Sequence, residues 1–135
     1  MMAKADNLLT LPSRIENMSR VQKLIDTLSS QNKLSSEACG KISVAVLEAV
    51  NNAILHGNKL DYSKNVTIRI SLDEECVSCV IKDEGEGFDF LCIPDPTLPE
   101  NIEKTHGRGV FLMNHLADSV HFSAEGRHVK MVFNL

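Results

Sequence analysis

The stretch that decides the fold is Glu48-Ala49-Val50-Asn51-Asn52-Ala53-Ile54-Leu55-His56-Gly57-Asn58, read together with Asp83-Glu84-Gly85-Glu86-Gly87 further along the chain. Ile42, Ala45, Val46, Ala49, Val50, Ala53 and Ile54 recur at helical spacing over a wide face. The spacing predicts a central, well-buried helix, capped by Ser35 or Ser36, running to about His56 and stopped by Gly57. Glu48, Asn52 and His56 are four residues apart and therefore stack on one side of that helix. Asp83 ends an apolar, strand-like run, and the glycines after it let backbone come close to a ligand. These residue types at these spacings suit a magnesium–nucleotide site. Gly107-Arg108-Gly109 adds a glycine-rich opening to a further helix, where anions are favoured.

Outward from these motifs, Leu8-Leu9-Thr10-Leu11 reads as a short edge strand stopped by Pro12. Ser13-Arg14-Ile15-Glu16 has the form of a capping box. Ile15, Met18, Val21, Leu24, Ile25 and Leu28 follow at helical spacing and predict a first helix over 14–29. Residues 66–72 alternate at period two, Asp73-Glu74-Glu75 turns the chain, and 76–81 return as the second arm of a hairpin. The irregular stretch 86–106 contains Pro94, Pro96 and Pro99; segments of this kind in compact domains tend to be functional, such as lids. A third helix is expected over 109–117, and 120–122 with 129–133 form a closing hairpin around Glu125-Gly126. Strands come in hairpins and helices are grouped, unlike alternating βαβ units. The expectation is one α+β domain over 1–135, a two-layer α/β sandwich with a mostly antiparallel sheet covered on one face by three helices.

Composition sets the outer bounds. With 43% apolar and 24% charged residues, the chain has the balance of a globular protein. Trp is absent and aromatics make up 4%, so the core must be mostly Leu, Ile, Val and Met. A net charge of −4 and no basic stripe argue against direct nucleic-acid binding. No run approaches the ~18 apolar residues of a membrane span, and Met1-Met2-Ala3-Lys4-Ala5-Asp6-Asn7 lacks a signal peptide's apolar core. A cytoplasmic protein without a membrane partner is expected. Cys39, Cys76, Cys79 and Cys92 are expected to be free thiols. Cys76-x-x-Cys79 lacks the second pair or the histidines that zinc needs, and residues three apart on a strand face opposite sides, so it reads as structural.

Each candidate has a plain reading beside the functional one. Asn52 can hold magnesium through its carbonyl oxygen, and Glu48 one turn earlier can orient or deprotonate an attacking hydroxyl. For either alone, the reading as a residue on a solvated helix face prevails. The mid-helix doublet Asn51-Asn52 favours a site, because Asn is a mediocre helix former. His56 either contacts a phosphate or closes the helix end against its dipole. Asp83-Glu84-Gly85-Glu86-Gly87 is either an acidic turn or a strand end whose carboxylate accepts from an exocyclic amine such as that of adenine. No third glycine or helix follows it, so it is no dinucleotide fingerprint. Gly107-Arg108-Gly109 is either an ordinary helix opening or a phosphate cradle. The absence of Gly-x-x-x-x-Gly-Lys-Ser/Thr excludes a P-loop.

Taken in order, Glu-x-x-x-Asn-Ala-x-x-His-Gly (48–57), Asp-x-Gly-x-Gly (83–87) and Gly-x-Gly (107–109) resemble the gyrase/chaperone/histidine-kinase ATPase superfamily, the Bergerat fold. The likeness runs from about residue 8 to 133 and is strongest to a compact branch, the bacterial anti-sigma-factor serine/threonine kinases. Pro12-Ser13-Arg14-Ile15-Glu16-Asn17 with Arg20-Val21 is similar to the first helix of that branch. The resemblance implies that ATP and Mg2+ bind between the second helix, the loop after Asp83 and a lid at 88–106. By position it makes Asn52 the magnesium ligand, Glu48 the catalytic base and Asp83 the reader of adenine. Gly85 and Gly87 then shape the adenine pocket, and Gly107 and Gly109 approach the phosphates. Lys104-Thr105-His106 stands where some of these kinases carry an Arg, so Lys104 or Arg108 would have to supply that charge. Gly126-Arg127-His128 stands where a Gly-Thr pair is usual.

The implied partners are an anti-anti-sigma protein, phosphorylated on Ser or Thr, and a sigma factor that is sequestered. Arg20 lies on the helix used for partner contact. A homodimer is compatible with the apolar flank of the first helix, which packing against the sheet explains equally well. Two readings follow: a protein kinase that antagonises a sigma factor, or a nucleotide-gated binding module of the same fold without kinase activity. The missing Thr and the displaced basic residue motivate the second. A histidine-kinase fragment would need an acceptor His on a preceding helix hairpin, and the first His is His56, inside the motif. Gyrase-like ATPases need a transducer domain for which 135 residues leave no room.

Overall fold

Period-two alternation in the strand segments builds a five-stranded sheet with one apolar face. The computed structural model describes residues 5–86 and 105–135, with backbone alone at 105–108 and 125. Its elements are β1 (Ala5–Pro12), α1 (Met18–Gln31), α2 (Ser36–Asn52), β2 (Asn65–Leu72), β3 (Cys76–Lys82), α3 (Thr105–Leu116), β4 (Ser119–Ser123) and β5 (His128–Asn134). The strand order is β1-β2-β3-β5-β4, and every neighbouring pair is antiparallel. The hairpins β2–β3 and β4–β5 join through β3 and β5, with Cys79 opposite Met131. The Arg127 end of β5 therefore lies beside the Asp83 end of β3, where Asp83 N donates to Arg127 O at 2.9 Å.

The inward residues of the three central strands, such as Ile68 and Ile70 of β2, Val77 and Ile81 of β3 and Met131 of β5, are buried against the helices. The opposite face carries exposed Arg69, Lys82 and Lys130. Helix α1 contributes Val21, Ile25 and Leu28 to the core, α2 contributes Ile42, Ala45, Val46, Ala49 and Val50, and α3 contributes Val110 and Met113. This is the expected two-layer arrangement. Ser35 caps α2, its Oγ accepting from Ala38 N at 3.0 Å. With its C-terminal extension this helix spans Ser36–Gly57, 22 residues, and by length and composition it is apolar enough to cross a membrane. Its apolar face is the central support of the sheet, which accounts for that composition.

Several boundaries differ from expectation. β1 extends back to Ala5 because its outward side is tied to β2. Arg69 Nε and Nη2 donate to the Asp6 carboxylate at 2.9 and 2.6 Å, and Ser71 Oγ donates at 3.0 Å. The hydrogen bonds from Arg69 and Ser71 hold the Asp6 carboxyl down at about 2. The capping box does not form. Ser13 is fully buried and its Oγ donates to Lys64 O at 2.7 Å. A short 3-10 turn (Ile15–Asn17) intervenes, Glu16 meets Arg14 at 3.5 Å, and α1 starts only at Met18. Cys39, Cys76 and Cys79 are free thiols, Cys79 being buried and pushed up to about 12 by that burial. Cys92 lies outside the described residues, as does the expected lid apart from its last two positions, which open α3.

Replacing fully buried Ile68 with Ala is expected to cost about 2–5 kcal/mol in urea unfolding, through lost transfer energy and a cavity between sheet and helices. A loss under about 1 kcal/mol would contradict this packing.

Candidate functional site

The buried face of α2 ends in a change of helical pitch. After Asn52 the helix widens into a π turn (Ala53–Gly57), with Asn58 N donating to Ala53 O at 2.8 Å and Leu60 N to Ile54 O at 2.8 Å. Such turns often lie at functional sites. Ala49, Asn52, Ala53, His56 and Gly57 form one wall of a cavity of about 200 Å³. Ile81, Met113, Phe122 and Val129 add apolar surface, and Asp83 with Gly126 and Arg127 closes the far end. An apolar slot with one carboxylate at its end suits a flat heterocycle bearing an amine.

Gly57 is needed for a reason the sequence did not disclose. Its place as the helix stop holds, since the π turn ends at Gly57, but the left-handed residues follow it, at Lys59 (φ 52°) and Leu60 (φ 59°). Glycine is required at 57 because the Asp83 carboxylate sits on it: a Cβ would stand 2.5 Å from Oδ2. At Gly85, a Cβ would run into the Gly57 carbonyl. Asp83 is held on both sides, its N–H by Arg127 O and its Oδ1 by Gly85 N at 2.8 Å. Burial pushes its carboxyl above the ordinary 3.8, opposed by the Gly85 N–H and by the charges of His128, Arg127 and Lys64.

Glu48 and Asn52 meet α3 at the other end. A Cβ on Gly109 would lie 2.8 Å from Asn52 Nδ2 and 3.1 Å from Glu48 Oε2. The two side chains therefore converge on the second turn of α3, where a Cβ would press on both of them. Because α3 begins at Thr105, Gly107 and Gly109 lie inside the helix and do not precede it. The backbone at Arg108 belongs to the same helix. Asn52 is 9% exposed, and among the described residues its Nδ2 has no hydrogen-bond partner. A buried amide left unsatisfied calls for a ligand or water, and its two atoms are assigned by hydrogen bonding, so the carbonyl can take the same place. Among the described residues no three His, Cys, Asp or Glu side chains gather as a metal cage. A hard cation here would take few protein oxygens and share phosphate oxygens, which is how magnesium is commonly bound. The residues thus fit ATP with Mg2+.

His56 is exposed on the π turn at the cavity wall. Arg20 lies elsewhere, exposed on α1 in a shallow groove with Lys23, Leu24, Thr27 and Leu9 of β1. Gly87 and Lys104 lie outside the described residues. Sequence reasoning missed Asn58 and Ser13, which are buried and hydrogen-bonded to each other at 2.8 Å. Asn58 carried no signal beyond its polarity next to the motif, and the signal at Ser13 was that of a helix cap.

A family profile for the histidine kinase-like ATPase domain matches residues 11–133. The serine-protein kinase RsbW of Bacillus subtilis is 27% identical over 120 residues, covering 83% of this chain and 74% of that protein. An anti-sigma F factor of Clostridium perfringens is 30% identical over 124 residues, covering 89% and 88%. In fold, the chain is similar to the crystal structure of the RsbU and RsbW domains of Rv1364c from Mycobacterium tuberculosis. That likeness has a TM-score of 0.65 at 13% identity over 97% of this chain, which spans 31% of the solved one. The chain belongs to the histidine kinase-like ATPase family, in the branch of the anti-sigma serine-protein kinases.

Asp83→Asn is expected to leave the ligand-free protein at least as stable as the wild type at pH 7. The folded-state pKa of Asp83 is raised, so its contribution is full below 3.8 and is lost as pH rises through the folded value. The amide escapes that loss. Urea midpoints should therefore diverge in favour of the variant between pH 4 and 7; divergence the other way would contradict the burial of this carboxylate.

Proposed function

We propose that this chain is an ATP- and magnesium-dependent protein serine/threonine kinase that phosphorylates an anti-anti-sigma protein and sequesters a sigma factor. The observation that carries the reading is the convergence of Glu48 and Asn52 on Gly109, with a buried amide that has no partner among the described residues. In this reading the base occupies the apolar slot with its amine toward Asp83, and Gly57 and Gly85 leave room for that carboxylate. Asn52 holds the metal and Gly109 admits the phosphates to the α2–α3 junction. Bound magnesium neutralises charge on the transferring phosphoryl group, where positioning and charge do most of the work. Glu48 orients the acceptor hydroxyl and takes its proton as the oxygen attacks the terminal phosphorus, whose bond to the bridging oxygen breaks and releases ADP. Lys104 or Arg108 supplies a cation near the terminal phosphate, and 88–106 serve as the lid. Gly87 and Gly107 act with their partner glycines at the two ends of the nucleotide.

The relatives' names support the partner class: one is a serine-protein kinase and another an anti-sigma F factor. Arg20, exposed on α1, is proposed for partner contact, and the protein is proposed to work in the cytoplasm, with a homodimer as one form. The second reading, a nucleotide-gated binding module, draws on Gly126-Arg127-His128, which places Arg127 at the cavity in a segment where the kinase pattern has Thr.

Labelled ATP and a small anti-anti-sigma domain separate the two. Wild type is expected to transfer phosphate to a Ser or Thr. Glu48→Ala should retain ATP binding and lose about 10²–10⁴-fold in transfer rate, whereas Asn52→Ala should lose magnesium-dependent ATP binding. Undiminished transfer by Glu48→Ala would sink the catalytic role, and tight ATP binding without any transfer would favour the binding module.

A further inference from the structure

Asn58, immediately after Gly57, is 1% exposed, and its side chain is hydrogen-bonded to three separate segments, with both amide hydrogens used. Its Nδ2 donates to Ser13 Oγ at 2.8 Å and to Asn65 O at 3.0 Å, and its Oδ1 accepts from Glu84 N at 2.8 Å. Ser13 passes the connection on, its Oγ donating to Lys64 O at 2.7 Å. Asn65 N in turn donates to the Glu84 carboxylate. One buried side chain therefore joins the end of β1, the start of β2 and the turn that follows Asp83. A buried polar network with every member satisfied is rigid, and its loss is felt by everything it holds.

The placement matters because Asn58 touches both halves of one contact. Its backbone continues directly from Gly57, on which the Asp83 carboxylate sits, and its amide grips Glu84, the residue after Asp83. Arg127 O holds Asp83 from the other side. We propose that Asn58 is the positioning residue for base recognition, fixing the Asp83 carboxylate on Gly57 at the angle that accepts a purine's exocyclic amine. This rests on the reading of Asp83 as the base-reading group.

The test compares binding of ATP and inosine triphosphate, which lacks the amine, to the full chain. Wild type should prefer ATP by about ten-fold, the worth of one well-placed hydrogen bond. Asn58→Ala should lose most of that preference while its affinity for inosine triphosphate stays near that of wild type. In an Asp83→Ala background the same change should do nothing further. A purely structural role would weaken both nucleotides equally, and that result, or an intact preference, overturns the proposal. Should Asn58→Ala fail to fold, Ser13→Ala decides: it leaves two of the three Asn58 bonds and should lower the preference part-way, and an unchanged preference overturns the proposal. A wild type with no preference overturns the reading of Asp83 itself and the proposal with it; a preference that survives only Asn58 removal overturns the proposal alone.

Discussion

The seat of the Asp83 carboxylate on the bare Cα of Gly57 is the contact on which the rest of the site depends. It joins the end of the central helix to the end of β3, the Asp83 carboxylate lying directly on the Gly57 backbone. Three features make room for it. The π turn carries Gly57 round to the cavity wall, Gly85 keeps its own backbone against Gly57, and β5 lies next to β3 so that Arg127 O can hold the Asp83 N–H. Remove any one and the carboxylate must leave its place or lose a partner.

Both ends of the cavity carry a cost in the ligand-free protein. At one end burial disfavours the ionised Asp83; at the other the Asn52 amide lacks a partner. Neither is held within the described residues as fully as Asn58, whose side chain makes three hydrogen bonds. The contrast separates groups that stabilise the fold from groups held ready for a ligand, since perturbed titration and unsatisfied polar atoms gather where binding repays them. In the proposed function, a nucleotide supplies an amine donor at the first end and phosphate oxygen at the second.

Much of this could be read along the chain. The buried face of α2, the hairpin of β2 and β3, the Ser35 cap and the pairing of Asn52 with Glu48 one turn before it all follow from local spacing. Local rules failed where distant segments compete for the same atoms. Ser13 has the sequence of a helix cap, but Lys64 O and Asn58 draw it into the interior, so α1 starts later. Gly107 and Gly109 look like a flexible lead into a helix, but α3 takes them up because Gly109 packs its bare Cα on Asn52.

What the sequence determined by itself was the inventory: which stretches bury an apolar face, which polar residues share a helix side, and a motif order belonging to the histidine kinase-like ATPases. These rest on periodicities of two and of about 3.6 residues, which a chain carries without reference to its neighbours. Tertiary structure alone decided that β5 inserts beside β3, that Gly57 is a seat for Asp83 as well as the helix stop, and that Asn58 ties three segments together. Those outcomes depend on which backbones come within a Cβ's distance of each other, and steric exclusion between segments far apart in sequence leaves no local signature.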